Sequence, residues 1–276
     1  MTLQEAIHQG TKLLEEERVS APRLTAEVLL AHAIGCRREW LYSHATDELK
    51  ELWWIHYGRY LHERLKGKPT QYITHVQEFY GREFRVSPAV LIPRPETEHL
   101  VEAALKRLTA GPVIDVGTGS GAIAVTLALE SRALTYACDL SFEALAVARE
   151  NALKLGARVS FFKSDLMACV APRSMEMVVS NPPYVPLTER EGLAKEVREH
   201  EPHVALFGGE DGFDIYRRLI AQASEVLKPG GWLLMELAYN GAAGVERILR
   251  ENGLWADIEV FPDLAGYPRV IAARIA

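Results

Sequence analysis

The short apolar run Val113-Ile114-Asp115-Val116 breaks into Gly117-Thr118-Gly119-Ser120-Gly121 and resumes as a helix-forming stretch through residue 130. A strand that ends in three alternating glycines and re-forms as a helix is one β-turn-α unit. Such a unit buries its strand only when parallel neighbours flank it. The chain downstream supplies them. Residues 134–138, 159–162, 175–180 and 232–237 read as strands, and 120–130, 142–155, 213–227 and 242–251 as helices. Residues 258–261 and 270–274 read as a closing strand pair, and the stretch from 181 to 212 as irregular. This alternation predicts an α/β protein with a doubly wound, mostly parallel sheet.

The first third has a different period. Leu3, Ile7, Leu13 and Leu14 share one helical stripe, Leu24, Val28, Leu29 and Ala33 a second that stops at Gly35. Residues 39–42 read as a short helix, and a longer one runs from Asp47 to the Lys66-Gly67-Lys68-Pro69 break. Trp40, Trp53, Trp54 and Tyr57 read as core fillers of this bundle. Phe79, Gly81, Phe84 and Val86 then alternate, which predicts a hairpin with its turn near Gly81-Arg82. Pro93-Arg94-Pro95 leads into a helix over 96–108 with acids in its first turn. The expected domains are a helical bundle over 1–72, a hairpin linker over 73–92 and an α/β domain over 93–276.

Charge narrows the partners. The net charge is −6, and residues 1–72 carry equal numbers of acidic and basic groups, so the whole excess falls on the α/β part. That excludes binding by bulk attraction to phosphate backbones. The aromatic residues of the bundle lack the basic groove of a base-stacking platform. His56 and His62 have no ligand-like spacing, and six of the nine histidines lie in residues 1–75 without forming a catalytic cluster. Cys36, Cys138 and Cys169 share no metal or redox spacing and read as buried thiols of a reducing compartment. Residues 1–10 lack a basic start and an apolar run, and no segment is apolar over a membrane's thickness. The expected location is the cytoplasm.

The glycine turn lets backbone approach a ligand closely, and the helix start behind it offers free N–H groups. Asp139 ends the next strand, 22 residues after Gly117, near the spacing of an acid that accepts ribose hydroxyls. Together they point to a nucleoside-containing cofactor. The Gly-x-Gly-x-Gly spacing departs from the dinucleotide fingerprint, which favours a ligand without pyrophosphate.

Asn181-Pro182-Pro183-Tyr184 follows the strand over 175–180, at the same sheet edge. The prolines fix the backbone and remove N–H groups, leaving carbonyl oxygens without competing donors. The Asn181 side-chain oxygen and the Pro182 carbonyl can accept both hydrogens of one planar –NH2 group, with Tyr184 packing on its plane. That suits a weak, delocalised nitrogen nucleophile held in line with an electrophilic methyl group. Asn181 is the candidate orienting residue, and no general base is evident.

With these residues in place, the chain resembles the class I S-adenosylmethionine-dependent methyltransferases that act on amide or exocyclic nitrogen. Over nearly its whole length it is similar to the release-factor glutamine methyltransferases (HemK/PrmC family). The marks are Gln71-Tyr72-Ile73, Glu78-Phe79-Tyr80-Gly81, Leu91-Ile92-Pro93-Arg94-Pro95-Glu96-Thr97-Glu98, Asn181-Pro182-Pro183-Tyr184, Glu201-Pro202, Ala205-Leu206 and Gly208-Gly209-Glu210-Asp211-Gly212. The resemblance implies a five-helix N-terminal domain, a hairpin, and a Rossmann-like domain with a seven-stranded sheet; residues 1–72, whose charged and histidine residues form no catalytic cluster, are expected to recognise the partner. It implies methyl transfer from S-adenosylmethionine to N(5) of the glutamine in the Gly-Gly-Gln tip of class 1 peptide chain release factors, with no direct nucleic-acid or membrane partner and no metal. By position, Gly117, Thr118, Gly119, Ser120 and Gly121 would line the methionine part of the cofactor and Asp139 its ribose, with Asp115 also among the cofactor-binding residues. Asp165 and Leu166 would sit by the adenine, with Asn181 beside the cofactor as well. Asn181, Pro182, Pro183 and Tyr184 would hold the substrate amide, Asn181, Pro182 and Tyr184 acting in catalysis. His75 stands where that family usually has glycine, Phe142 replaces a frequent proline, and Ala238, Gly241 and Ala242 interrupt a stretch that usually keeps a Gly and a Gln.

Three other readings share parts of this pattern. An adenine N6-methyltransferase also uses an Asn/Asp-Pro-Pro-aromatic site, but needs base extrusion and phosphate contacts. A ribosomal-protein glutamine methyltransferase differs only in its partner. A nicotinamide-dependent oxidoreductase explains the glycine turn and Asp139 and leaves Asn181–Tyr184 unused.

Overall fold

A computed structural model describes residues 1–276. In chain order the elements are α1 (Leu3–Glu16), α2 (Pro22–Ile34), α3 (Arg38–Ser43), α4 (Glu51–Leu65), α5 (Thr70–Thr74), β1 (Val76–Phe79), β2 (Arg82–Arg85), α6 (Glu98–Leu105), β3 (Pro112–Val116), α7 (Ala122–Glu130), β4 (Leu134–Asp139), α8 (Phe142–Leu155), β5 (Val159–Lys163), β6 (Met175–Ser180), α9 (Lys195–His200), α10 (Asp214–Val226), β7 (Leu227–Glu236), α11 (Ala242–Asn252), β8 (Trp255–Pro262) and β9 (Pro268–Ile275). Two compact units result. One holds residues 1–75 with 194–200, the other 76–193 with 201–276.

In the smaller unit, Thr2 starts α1 through a capping box: its hydroxyl accepts the Glu5 N–H, and the Glu5 carboxylate accepts the Thr2 N–H. Proline opens α2, and Gly35, at φ +80°, closes it. The Leu3 N–H donates to the Asp47 carbonyl at 3.0 Å. This pairing holds residues near 47 extended, so α4 starts at Glu51 rather than at Asp47. Positions 53, 57, 61 and 64 form the inward stripe of α4, with Tyr57 fully buried. Trp40 and Trp53 are half-buried. Trp54 lies off that stripe and is 38% exposed, so it is no core filler. The buried Arg64 guanidinium donates to Glu196 at 2.5 Å, tying α9 into this unit. The stretch read as irregular therefore contains a helix that belongs with the bundle. His75 follows α5 at φ +61°, the left-handed region where a side chain costs roughly 1 kcal/mol relative to glycine.

The larger unit is built on a sheet of order β5-β4-β3-β6-β7-β9-β8. The pairs from β5 to β7 are parallel, and β9 runs antiparallel to both neighbours. The chain winds outward from β3 through β4 to β5, then returns to place β6 beside β3. That reversal opens a crevice at the carboxyl ends of β3 and β6. Pro229-Gly230-Gly231, ahead of the strand expected over 232–237, lie inside β7, where a register shift opposite Met175 to Met177 absorbs them. The hairpin turns at Tyr80-Gly81, both at positive φ, one residue earlier than expected. Phe79 and Phe84 pack edge-to-face at 6.0 Å and join the core of α6 and α7. The hairpin is thus part of this unit, not a free-standing linker, and the boundary falls at residue 75.

All three cysteines are free, but only Cys138 is fully buried. Cys36 is half-buried and Cys169 exposed, which corrects the expectation of three buried thiols. No helix is long and apolar enough to cross a membrane.

Candidate active site

The glycine turn after β3 depends on backbone that only glycine adopts without strain. Gly117, Gly119 and Gly121 have φ of +74°, +54° and +81°. A Cβ on Gly117 or Gly119 would meet nothing within 4 Å, so their backbones border open space. Gly121 has another task. A Cβ there would stand 3.1 Å from the Ala148 Cβ, and its absence lets α7 start against α8.

Asp115 braces the turn from beneath. Its Oδ2 accepts from the Thr118 hydroxyl at 2.6 Å and from the Ala124 N–H at 3.2 Å. Complete burial pushes its carboxyl up to about 7, against the pull of those two bonds. Asp115 and Gly121, expected among the ligand contacts, do not line the crevice. They shape the turn that does.

At the end of β4, Asp139 accepts the Gly119 N–H on Oδ2 and the Ser141 N–H on Oδ1, each at 2.9 Å. Two backbone donors fix the carboxylate and leave further lone pairs for a ligand. A cavity of about 190 Å³ lies at this switch point. Gly117, Thr118, Gly119 and Ser120 line one wall. Asp139, Asp165 and Leu166 line it toward β4 and β5, and Asn181 and Pro183 toward β6. Asp165 also pairs with Arg218 at 2.6 Å, and Arg218 lines the same cavity.

The Asn-Pro-Pro-Tyr segment is held at both ends. Ser180 Oγ donates to the Val116 carbonyl at 2.7 Å, locking the end of β6 to that of β3. The Asn181 Nδ2 donates to the Thr97 hydroxyl oxygen at 3.3 Å, and that hydroxyl donates to Glu236 Oε2 at 2.6 Å. The Tyr184 hydroxyl faces Glu236 Oε1 at 3.5 Å, and the Tyr216 hydroxyl donates to the Glu236 carbonyl at 2.7 Å. Burial pushes the Tyr184 phenol well above its ordinary range. Pro182 is buried, and neither it nor Tyr184 lines the cavity. Of the four residues expected at the substrate amide, Asn181 and Pro183 reach the cavity wall.

A second loop clamps the segment from outside. The Val185 N–H donates to the Leu206 carbonyl at 2.9 Å, and the Gly208 N–H to the Val185 carbonyl at 3.0 Å. A Cβ on Gly208 would lie 2.6 Å from the Pro183 carbonyl oxygen. One on Gly212 would lie 2.5 Å from that of Tyr184. The glycines exist because backbone meets backbone here. Arg94, on the cavity wall, pairs with the buried Glu201 at 2.6 Å.

Sequence reasoning gave no role to Thr97 or Glu236. Thr97 entered only as part of a family run. Glu236 had a signal: it is the one acid in the apolar strand around residues 232–237, and a buried carboxylate there needs a partner.

The cavity suits a nucleoside-bearing cofactor. A fixed carboxylate can accept vicinal hydroxyls, the glycine backbone borders open space, and Leu166 offers an apolar surface beside Asp165. A seven-stranded sheet with β9 slotted antiparallel between β7 and β8, opening beside this turn, defines a class I methyltransferase. The fold is similar to that of a methyltransferase crystal structure from Pyrococcus furiosus (TM-score 0.55, 17% identity, 71% of this chain and 90% of that one). It is also similar to the Thermus thermophilus 16S rRNA N2 G1207 methyltransferase solved with AdoMet and guanosine (TM-score 0.52, 20% identity, 73% and 50%). These likenesses concern the fold alone.

Residues 5–74 match the PrmC N-terminal domain and residues 95–199 the methyltransferase small domain. The chain is 48% identical to the release factor glutamine methyltransferase of Koribacter versatilis across 99% of both chains. It is 41% identical to that of Nitratidesulfovibrio vulgaris across 99% of this chain and 95% of that one, and 37% identical to that of Bacillus cereus across the whole of both. The chain belongs to the release factor glutamine methyltransferase family.

Proposed function

We propose that this protein transfers a methyl group from S-adenosylmethionine to the side-chain nitrogen N(5) of the glutamine in the Gly-Gly-Gln motif of class 1 peptide chain release factors, in the cytoplasm. The carrying observation is the placement of Asn181 on the wall of the cavity that Gly117, Gly119 and Asp139 also line, in a chain whose relatives bear that name from end to end.

When bound, the cofactor supplies a methyl group already activated on a sulfonium. The chain's own residues then have to orient and exclude rather than to abstract a proton beforehand. The backbone of residues 117–120 holds the methionine end, Asp139 accepts the ribose hydroxyls, and Asp165 with Leu166 flanks the adenine. Asn181 Oδ1 accepts hydrogen bonds from the substrate amide at the cavity wall, with Pro182 buried behind it and bracing the turn. These bonds strengthen as the nitrogen becomes cationic, which is where binding lowers the barrier. One N–H proton leaves to solvent after transfer. Residues 1–72 recognise the release factor.

The test is mass spectrometry of a purified release factor incubated with this protein and S-adenosylmethionine. A single added methyl group on the tip glutamine is expected, with none on a factor whose tip glutamine is alanine. Methyl appearing in nucleic-acid adenine or in a ribosomal protein instead would overturn the reading.

A further inference from the structure

The two ends of an asparagine amide have nearly the same shape and opposite hydrogen-bonding character. Only one orientation of Asn181 presents an acceptor to a substrate –NH2 group. What selects that orientation runs from the cavity wall inward, through Thr97, which lines the cavity beside Asn181, to the buried Glu236.

The Thr97 hydroxyl, from the turn before α6, is 2.6 Å from Glu236 Oε2 at the end of β7. A carboxylate can only accept, so it takes the single hydroxyl hydrogen. The Thr97 oxygen is then left as an acceptor toward Asn181, and the amide meets it with Nδ2 at 3.3 Å. Oδ1 carries no hydrogen bond from the protein. We propose that Thr97 and Glu236 are positioning residues that set the polarity of the Asn181 amide, holding Nδ2 inward and Oδ1 toward the substrate. This rests on the reading of Asn181 as the acceptor for the glutamine amide.

The relay has a direction that ionisation can reverse. A protonated Glu236 can donate to Thr97, whose hydroxyl is then free to donate to Asn181 Oδ1. The amide turns over and offers Nδ2, a donor, to a substrate that needs an acceptor. Glu236 is 1% exposed, and burial raises its carboxyl to about 7. The charged and titratable groups facing it are Arg269 on β9, which favours the ionised form, and Glu96 in the turn before α6, which disfavours it. The Tyr184 hydroxyl also faces it, and the Tyr216 hydroxyl binds its carbonyl. Thus the productive orientation belongs to the ionised state.

Single-turnover methylation of an intact release factor, with saturating cofactor, tests the relay. The Asn181→Ala variant is measured alongside. Thr97→Val keeps shape and removes the hydroxyl. It should slow transfer about tenfold with cofactor affinity unchanged, and Thr97→Ser should restore the rate to within about threefold. The wild-type rate should climb with pH through about 7. That climb should vanish in Thr97→Val and in Glu236→Gln. Asp115 titrates in the same region, so a climb that persists in Glu236→Gln assigns it elsewhere and overturns the proposal. A Thr97→Val rate within about twofold of wild type, while Asn181→Ala is slow, overturns the relay and leaves the acceptor role standing. An Asn181→Ala rate equal to wild type overturns both. Melting temperatures of the variants, measured in parallel, exclude loss of fold as the cause of a slow rate.

Discussion

Asp139 accepts the N–H of Gly119 at 2.9 Å, so the end of β4 is tied to the glycine turn that follows β3. The bond makes one carboxylate both a wall of the cavity and a strut of the loop opposite. A substitution at Asp139 therefore acts twice. Asp139→Ala should weaken binding of S-adenosylmethionine or its demethylated product by roughly 1.5–3 kcal/mol for each charge-assisted bond lost. Asp139→Asn retains an acceptor oxygen on one side and should lose less. Isothermal calorimetry measures both, and an Ala variant of unchanged affinity removes Asp139 from the site.

Asn181→Ala should preserve the fold, because Ser180 and the two prolines still set the backbone. The rate of methyl transfer should fall by about 10²–10³-fold, the loss typical of one preorganised transition-state partner. Asn181→Asp keeps an acceptor of similar size and should retain more activity than Ala. Rapid-quench single-turnover rates decide between them. An Ala variant within about threefold of wild type refutes the acceptor role.

The Gly212 contact can be separated from its backbone conformation. Gly212 and Gly253 have φ of +79° and +73°, but a Cβ on Gly212 would strike the Tyr184 carbonyl oxygen at 2.5 Å, whereas one on Gly253 would meet nothing within 4 Å. Gly253→Ala should cost roughly 1 kcal/mol of stability and leave the rate intact. Gly212→Ala should cost roughly 1–3 kcal/mol and slow methylation about tenfold, with cofactor affinity retained. Chemical denaturation and kinetics on both variants check the pair, and equal rates would show that the loop does not hold the Tyr184 backbone.

Asp115 gives a stability prediction with a definite sign. In the unfolded chain its carboxyl ionises near 4, and in the fold burial holds the proton until about 7. Below both values the group is neutral in either state. As pH rises between them the unfolded state loses its proton first, so wild-type stability falls over that window and levels off above it. Asp115→Asn has no such loss. The stability of the variant relative to wild type should rise between about pH 4 and pH 7 and stay constant beyond. Denaturant midpoints across that range test it, and a constant difference would mean that Asp115 ionises normally in the fold.

Local periodicity made most of the sheet legible, because each buried strand is a compact apolar run and each helix carries its own stripe. Residues 142–155 read as a helix and form α8 over the same span. The failures share a cause. The strand expected over 232–237 begins at Leu227, which reads as the end of a helix, and only a register shift across the sheet keeps Pro229-Gly230-Gly231 in β7. The helix α9 has no apolar face of its own and depends on Arg64, more than a hundred positions earlier. The candidate site divides the same way. The glycine turn, Asp139 and Asn181 are chemically distinctive where they stand. Thr97 and Glu236 become meaningful only when 139 positions of chain bring them together.

The placement of β9 between β7 and β8 orders the making of the molecule. While the polypeptide is being synthesised, β8 emerges first and has no sheet edge to join, since the edge it belongs to is supplied by a strand not yet made. Until residues 268–275 arrive, β7 stays open on one side, with Glu236 at the end of that open edge. A nascent chain at that stage exposes an unpaired strand of the kind that invites aggregation. Closure of the sheet and completion of the wall behind Asn181 are therefore one late event. Chains released after truncation before residue 268 should be protease-sensitive throughout β7 and β8.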